Sequence, residues 1–129
     1  MFDVVIIYCS KGIGHLICDI IRKKGNIMSQ IIVIATLKLN PGNMLDSWKT
    51  LSKQISGDLE GEDGFIYRDS VVKEDGTILC ILKWESRAQQ EKFMEDLAAR
   101  TDMITSMRMD EFERVVDVSS IKQEFLEII

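Results

Sequence analysis

Three side chains, Tyr67, Asp69 and Trp84, are of types that could bind or react with an aromatic ligand. Trp84 ends an apolar run and stands between Lys83 and Glu85, so its ring either walls a pocket or plugs the end of the core. Tyr67 and Asp69 share one face of a predicted strand, where a phenol and a carboxylate would serve as acid or base in a pocket. The alternative for this pair is a half-exposed position at the rim of an interface between two copies.

Trp48 and Cys80 can each be explained by a structural role in the core as well as by a functional role. Trp48 lies in the apolar stripe of a predicted helix, a position that suits the core as well as a pocket wall. Cys80 is expected to be a small buried apolar residue, because nothing basic in the nearby sequence is placed to lower its pKa. We therefore keep Trp48 as a candidate pocket residue and assign no catalytic residue.

Composition excludes several other classes of protein. The 129 residues carry a net charge of −5 and no basic patch, which argues against a nucleic-acid partner. His15 is the single histidine, and the three cysteines are far apart, so we expect no metal site, no cofactor and free thiols in a reducing compartment. No apolar run approaches about 18 residues and no signal peptide is recognisable, so we expect a cytoplasmic protein without a membrane partner.

The sequence predicts a boundary at Met28 between an N-terminal segment and the folded domain. Residues 1–27 contain a possible strand, a short amphipathic helix and a Gly-x-Gly turn, "SKGIGH", that would weakly suggest a nucleotide-binding loop. The segment Lys23 to Met28 could also be encoded by a purine-rich ribosome-binding site ahead of a start codon. We therefore expect the natural chain to start at Met28, with residues 1–27 as an N-terminal extension that is not part of it and residues 28–129 as the domain.

The first half of that domain has clear signals. Residues 31–40 are rich in Ile and Val and end at Asn-Pro-Gly, which predicts a strand. Apolar residues from Met44 to Leu59 recur at helical spacing. A hairpin is predicted with strands at 65–73 and 77–85, because Asp75-Gly76 supplies the positive φ angles of a tight turn.

The second half is less regular. Ser86 and Gln89 form a capping box that predicts the start of the second helix. Residues 101–110 give no clear prediction, residues 111–118 predict a last strand, and Ser119-Ser120 predict the start of a short C-terminal helix. The order βαββαβ indicates an α+β, ferredoxin-like fold with a four-stranded antiparallel sheet. Both central strands are apolar on both faces, but the helices can cover only one face of the sheet. We therefore expect a homodimer in which a second copy covers the other face.

The run "IIVIATLKLNPG", the segment "DGFIYRDSVVKEDGTILCILKWES" and the helix after it resemble the antibiotic biosynthesis monooxygenase (ABM) family. The resemblance covers roughly residues 30–118. It implies a dimeric α/β barrel with a pocket between sheet and helices, lined by Trp84. The family includes cofactor-free monooxygenases that oxidise polycyclic phenols or quinols, haem-degrading members, and members without known activity.

The resemblance also implies where this chain departs from the family. The haem-degrading branch has an Asn on the first strand, where this chain has Ala35, and a His after the second helix, where this chain has Thr101 and Asp102. Haem degradation is therefore not expected. We expect a cofactor-independent monooxygenase acting on a planar hydrophobic metabolite. The alternatives are a non-catalytic ligand-binding or stress-associated dimer of the same fold, and a nucleotide-binding enzyme that uses "SKGIGH".

Overall fold

The computed structural model describes residues 29–129, which form one antiparallel sheet of four strands with three helices. The elements, in chain order, are β1 Ile31–Leu39, α1 Leu45–Leu59, β2 Phe65–Val72, β3 Ile78–Trp84, α2 Arg87–Ala98, α3 Met103–Val115 and β4 Val116–Glu127. The strand order in the sheet is β2-β3-β1-β4. This arrangement confirms the predicted ferredoxin-like α+β fold. The predictions for residues 1–27 lie outside the described residues.

The hairpin between β2 and β3 follows the predicted turn. Gly76 adopts a φ of +89°, and the Asp75 carboxylate accepts a hydrogen bond from the Thr77 amide at 2.9 Å. The amide of Lys73 donates to the Thr77 carbonyl at 2.8 Å, which closes the ladder at the turn. An L-residue other than glycine rarely adopts such a φ, so the sequence pair Asp-Gly determines where the hairpin reverses.

Ser86 caps the start of α2, as predicted. The Ser86 hydroxyl accepts a hydrogen bond from the Gln89 amide at 3.2 Å and donates to Gln89 Oε1 at 2.9 Å. The first of these bonds satisfies a backbone donor that the first helical turn leaves without a partner. The chain therefore leaves β3 at Trp84 and enters a helix three residues later, which fixes α2 beside the Trp84 ring.

The secondary structure predicted for residues 101–129 was wrong. Residues 103–115 form α3, although residues 101–110 had no clear prediction and a strand was predicted from residue 111. Strand β4 replaces the predicted C-terminal helix. The Asp102 side chain caps α3 by accepting from the Thr105 amide at 2.9 Å. Phe112 and Val115, three residues apart, then bury one face of that helix.

The segment after Val115 is a strand because it pairs with β1 along nearly its whole length. Ile121, Phe125 and Ile128 have a spacing that fits a helix, but Ile121 and Phe125 also alternate with residues that face the other way. The backbone hydrogen bonds to a central strand decide between the two patterns, since strand formation depends strongly on tertiary context. The register of β4 against β1 shifts between Thr36 and Lys38, and there the Lys38 amide donates to the Ser120 hydroxyl at 2.8 Å.

The helices cover one face of the sheet. The odd-numbered residues of β1 from Ile31 to Leu37 are buried on this inner face, together with Ile78, Cys80 and Trp84 of β3. The opposite side, which we call the open sheet face, has no element of residues 29–129 over it. Its members on β1, β2 and β3 are Ile32, Ile34, Thr36, Tyr67, Asp69, Val71, Leu79, Ile81 and Lys83. On β4, Lys122, Glu124 and Leu126 lie on the same side. No helix of the described residues is long and apolar enough to cross a membrane.

Candidate functional site

A cavity of about 300 Å³ lies between the inner face of the sheet and the helices. Its volume is at the lower end of the range for small-molecule pockets, and its walls are mostly apolar, as is typical of such pockets. The sheet contributes Val33, Ala35, Leu37, Cys80, Leu82 and Ile121, and the helices contribute Trp48, Ile55, Leu59, Phe93, Met94, Leu97, Ile104 and Phe112.

Trp84 forms an aromatic wall of this cavity. Trp84 is 1% exposed, so neighbouring side chains cover nearly all of the ring and a small part of it borders the internal space. Phe65 packs against it in an edge-on contact with the ring centroids 5.4 Å apart, and Phe93 lies at 5.5 Å. Aromatic contacts at these distances are attractive and hold the indole in one orientation. Trp84 therefore both closes the end of the core and lines the cavity.

Trp48 reaches the cavity from α1 and is anchored by its polar end. Its indole Nε1 donates a hydrogen bond to the Ser70 hydroxyl at 2.9 Å, and its ring packs edge-on against Phe112. Because the N–H group is already engaged, Trp48 presents only its apolar ring to a ligand. Ala35, on the neighbouring strand β1, also lines the cavity, and its small side chain leaves space there.

Tyr67 and Asp69 do not line this cavity, which corrects their predicted place in the pocket. The β2–β3 register pairs Phe65 with Trp84 but Tyr67 with Lys83, so two residues of β2 advance against one of β3. This irregularity at Ile66 has the form of a β-bulge, which reverses the faces of the residues that follow it. Tyr67 and Asp69 consequently lie on the open sheet face, with Tyr67 39% exposed.

The same irregularity turns Arg68 into the cavity. Its Nη1 donates to the Ser52 hydroxyl at 2.7 Å, the Ser52 carbonyl at 3.0 Å and the Ser56 hydroxyl at 3.0 Å. The guanidinium carbon lies 6.0 Å from the centroid of the Trp48 ring. Arg68 thus enters an apolar cavity with its position fixed by neutral partners on α1. Alternation along a strand places Arg68 on the face opposite Tyr67 and Asp69, but only the bulge shows which of the two faces points inward.

Two further arginines line the cavity, and each has a carboxylate partner. Arg108 of α3 makes a two-pronged pair with Asp58 of α1, with N···O distances of 2.7 and 2.9 Å. These hydrogen bonds raise the pKa of Arg108 above its ordinary value. Arg100 lies 3.5 Å from the Glu62 carboxylate. Each ion pair is neutral overall, and the two pairs connect segments around the cavity.

Polar groups of two other types also line the cavity. Burial raises the pKa of the Cys80 thiol, although the nearby positive charge of Arg68 opposes this shift. Cys80 is therefore a neutral thiol near pH 7 rather than a nucleophile. Gln90 of α2 is 3% exposed, and its Oε1 has no hydrogen-bond partner among the described residues. Within residues 29–129, no three His, Cys, Asp or Glu side chains come together as a set of metal ligands.

Solved structures of low sequence identity share this fold. A Caulobacter crescentus CB15 protein, provisionally named an antibiotic biosynthesis monooxygenase, superposes with a TM-score of 0.63 at 13% identity, over 80% of this chain and 92% of its own. A Nitrosomonas europaea protein with the same provisional name gives 0.62 at 10%, over 78% and 91%. SnoaB, a cofactor-independent oxygenase from Streptomyces nogalater, gives 0.60 at 6%, over 78% and 94%.

The comparisons by sequence add no closer relative, since neither a protein-family model nor a curated protein matches the chain. The structural likeness therefore concerns the fold, and at that level it confirms the resemblance that the sequence motifs implied.

Proposed function

From this ABM-like fold, we propose that the protein is a cofactor-independent monooxygenase that oxidises a planar phenolic or quinol metabolite. The observation that carries the proposal is the apolar cavity walled by Trp84 and Trp48 on the covered face of the sheet. Flat aromatic walls of this kind favour a flat aromatic ligand. SnoaB, which is described as a cofactor-independent oxygenase, has the same fold and supports the assignment.

The reaction needs no external reductant if the substrate itself supplies the electrons. An activated CH₂ group that becomes a carbonyl gives up four electrons, and O₂ accepts four electrons. One oxygen atom enters the product, and the other leaves as water with the two hydrogens of the CH₂ group. Loss of a proton from the substrate first makes it electron-rich enough to react with O₂.

The protein then contributes orientation and a water-poor environment. Phe65 and Phe93 hold the Trp84 ring in place, so a planar substrate meets a rigid wall. The apolar lining keeps water from the reacting centre and strengthens any charge interaction inside the cavity. These are contributions to positioning and electrostatics, and none requires a metal or a flavin.

Isotope labelling tests the proposal directly. The purified protein is incubated with anthrones and quinols under ¹⁸O₂, in the presence of a chelator, and products are analysed by mass spectrometry. We expect one labelled oxygen atom in the product and one in water, with one O₂ consumed per substrate. Product formed without label, or formed equally fast in buffer alone, would contradict the proposal.

A second candidate function is a non-catalytic ligand-binding dimer. It is favoured by the absence of an evident base among the lining residues that the structure describes, because Asp58 and Asp102 are already engaged in hydrogen bonds. Ala35 likewise offers no polar group from β1. A ligand that co-purifies in native mass spectrometry, together with no turnover under ¹⁸O₂, would favour this candidate over the oxygenase.

We also propose that two copies pair through the open sheet face. Ile32, Ile34, Leu79 and Ile81 form its centre and are only half-buried in a single chain. Leaving apolar area in water costs about 25 cal/mol per Å². A two-fold related copy offers the same apolar centre and covers it without any other partner. The pairing leaves the cavity, which lies on the other face of the sheet, available to a ligand in each copy.

A further inference from the structure

One arginine of the cavity differs from the other two in its partners. The charged lining residues are Asp58, Arg68, Arg100, Asp102 and Arg108. Arg100 and Arg108 have carboxylate partners, but no carboxylate of residues 29–129 lies within ion-pair distance of Arg68. A guanidinium in an apolar site without a counter-charge is unusual, because burying a charge without a partner costs free energy.

The hydrogen bonds of Arg68 leave part of the guanidinium available. Nη1 is occupied by Ser52 and Ser56, whereas Nη2 has only a long contact of 3.5 Å to Cys80 Sγ. A guanidinium has five N–H donors in a fixed plane, and a sulfur atom is a weak acceptor. The edge of Arg68 that carries Nη2 therefore has donor capacity suited to an oxyanion, next to the Trp48 ring.

A second unpaired polar atom lies on another wall. Gln90 is on the first turn of α2, the helix whose Phe93 packs on Trp84, and its Oε1 is a buried acceptor without a partner in the described part of the chain. Buried acceptors are nearly always paired, so one that lines a cavity can accept a hydrogen bond from a ligand or a water molecule that enters the cavity. Arg68, on β2 and bonded to α1, and Gln90, on α2, approach the cavity from different elements.

We infer that the ligand is an aromatic compound with an ionised hydroxyl held by Arg68 and a second hydrogen-bond donor, such as a further hydroxyl, held by Gln90 Oε1. The inference rests on the proposed function, since both require an aromatic ligand in this cavity. It adds the substrate class, which is a phenolate with two polar ends, and names the residues that select it. Arg68 stabilises the deprotonated form, the form that donates electrons to O₂.

Coumarins are suitable probes because the absorbance of 7-hydroxycoumarin distinguishes phenol from phenolate. Binding is measured anaerobically, so no turnover is needed. We expect the pKa of bound 7-hydroxycoumarin to be lower in the wild type than in Arg68→Gln by about one unit, because an adjacent positive charge favours the phenolate. Arg68→Lys should keep part of this shift, and Arg114→Gln, an exposed arginine of α3 outside the cavity, should keep all of it. Equal pKa values in wild type and Arg68→Gln would overturn the inference.

If Arg68→Gln does not fold, a series of ligands tests the role of Arg68 in the wild-type protein instead. At a pH where 7-hydroxycoumarin is ionised, it should bind the wild type about 10- to 100-fold more tightly than 7-methoxycoumarin, as expected for hydrogen bonds to a charged group. Equal affinities would overturn the role of Arg68. Coumarin-3-carboxylate tests whether the bound anion is a carboxylate instead. If only this ligand bound in an Arg68-dependent way, the site would be one for carboxylates, and the inference would be overturned.

Gln90 is tested with 6,7-dihydroxycoumarin. The wild type should prefer it over 7-hydroxycoumarin by about 3- to 10-fold, and Gln90→Leu should lose this preference. A preference that persists in Gln90→Leu would overturn the assignment of Gln90. The outcomes separate the two proposals: a phenolate shift without any ¹⁸O incorporation removes the oxygenase, whereas ¹⁸O incorporation without a shift removes only this inference.

Discussion

The guanidinium of Arg68 lies over the ring of Trp48, with 6.0 Å between its Cζ and the ring centroid. The same indole donates its N–H to Ser70, two residues beyond Arg68 on β2. Trp48 of α1 therefore holds β2 at two points, one through a cation–π contact and one through a hydrogen bond. This connection fixes the one arginine of the cavity that has no carboxylate partner in the described residues.

Trp48→Phe tests how much this connection stabilises the fold. The substitution keeps an aromatic ring but leaves the Ser70 hydroxyl without its donor and weakens the contact with Arg68. We expect the free energy of unfolding to fall by about 1–2 kcal/mol, measured by urea denaturation. Lys53→Gln, on the exposed side of the same helix, should change it by less than about 0.5 kcal/mol. An equal effect of both substitutions would show that the connection contributes nothing measurable.

Gly64 and Gly57 form a matched pair for the entry to β2. Gly64 has a φ of +83°, and an added Cβ would lie 2.5 Å from atoms of the Gln89 side chain, which belongs to the capping box of α2. Gly64→Ala should therefore lower the free energy of unfolding by about 1–3 kcal/mol, the strain of a rare backbone conformation, and displacing Gln89 adds to this cost. The thermal midpoint should fall accordingly.

Gly57 lies within α1, and no atom is within 4 Å of a Cβ added there. Gly57→Ala should stabilise the protein by about 0.5–1 kcal/mol, because alanine loses less backbone entropy in a helix. If Gly64→Ala raised the thermal midpoint as Gly57→Ala does, the described packing of Gln89 against Gly64 would be wrong.

Asp102 gives a prediction for acid stability. Hydrogen bonds from the amide and hydroxyl of Thr105 hold the pKa of its carboxyl below the ordinary value. Because the folded pKa is the lower one, the stabilisation is present above the unfolded pKa of about 4 and is lost as the pH falls through the folded value. Asp102→Asn, which caps a helix but does not titrate, should show a weaker decline in the denaturant midpoint over this range. A decline as steep as that of the wild type would contradict the assignment.

The proposed dimer is tested by sedimentation velocity at micromolar concentration. Ile81→Lys places a charge at the centre of the open sheet face, where Ile81 pairs with Ile34, and should convert the dimer to a folded monomer. Met103→Lys is the control, because Met103 is 76% exposed on α3 and is not part of that face. A wild-type protein that sediments as a monomer would exclude pairing through this face under these conditions.

Local signals account for the parts of the fold that the sequence predicted. Asp75-Gly76 determines the hairpin through backbone φ, and Ser86 with Gln89 determines the start of α2 through hydrogen bonds within one turn. Alternation along β3 likewise placed Cys80 and Trp84 on one face. Each of these features depends on residues fewer than ten positions apart, which is the range over which propensity and capping act.

Features that depend on distant partners could not be predicted in the same way. The strand after Val115 exists because it pairs with β1, some 80 residues earlier in the chain. The bulge at Ile66 is visible only in the register against β3, and it decided that Arg68, rather than Tyr67 and Asp69, lines the cavity. Sequence reasoning could therefore identify the aromatic residues of the candidate site, but it could not identify the arginine that enters it.

The most direct test of the account is oxygen uptake with the anthrone and quinol panel, compared between the wild type and Trp84→Leu. This substitution keeps apolar bulk and removes the planar wall, and circular dichroism verifies that the variant is folded. We expect kcat/KM to fall by about tenfold, the size of an aromatic stacking contribution. Tyr67→Phe, on the open sheet face, should retain the wild-type rate. Uptake that is unchanged in folded Trp84→Leu would contradict the claim that a planar substrate reacts in this cavity.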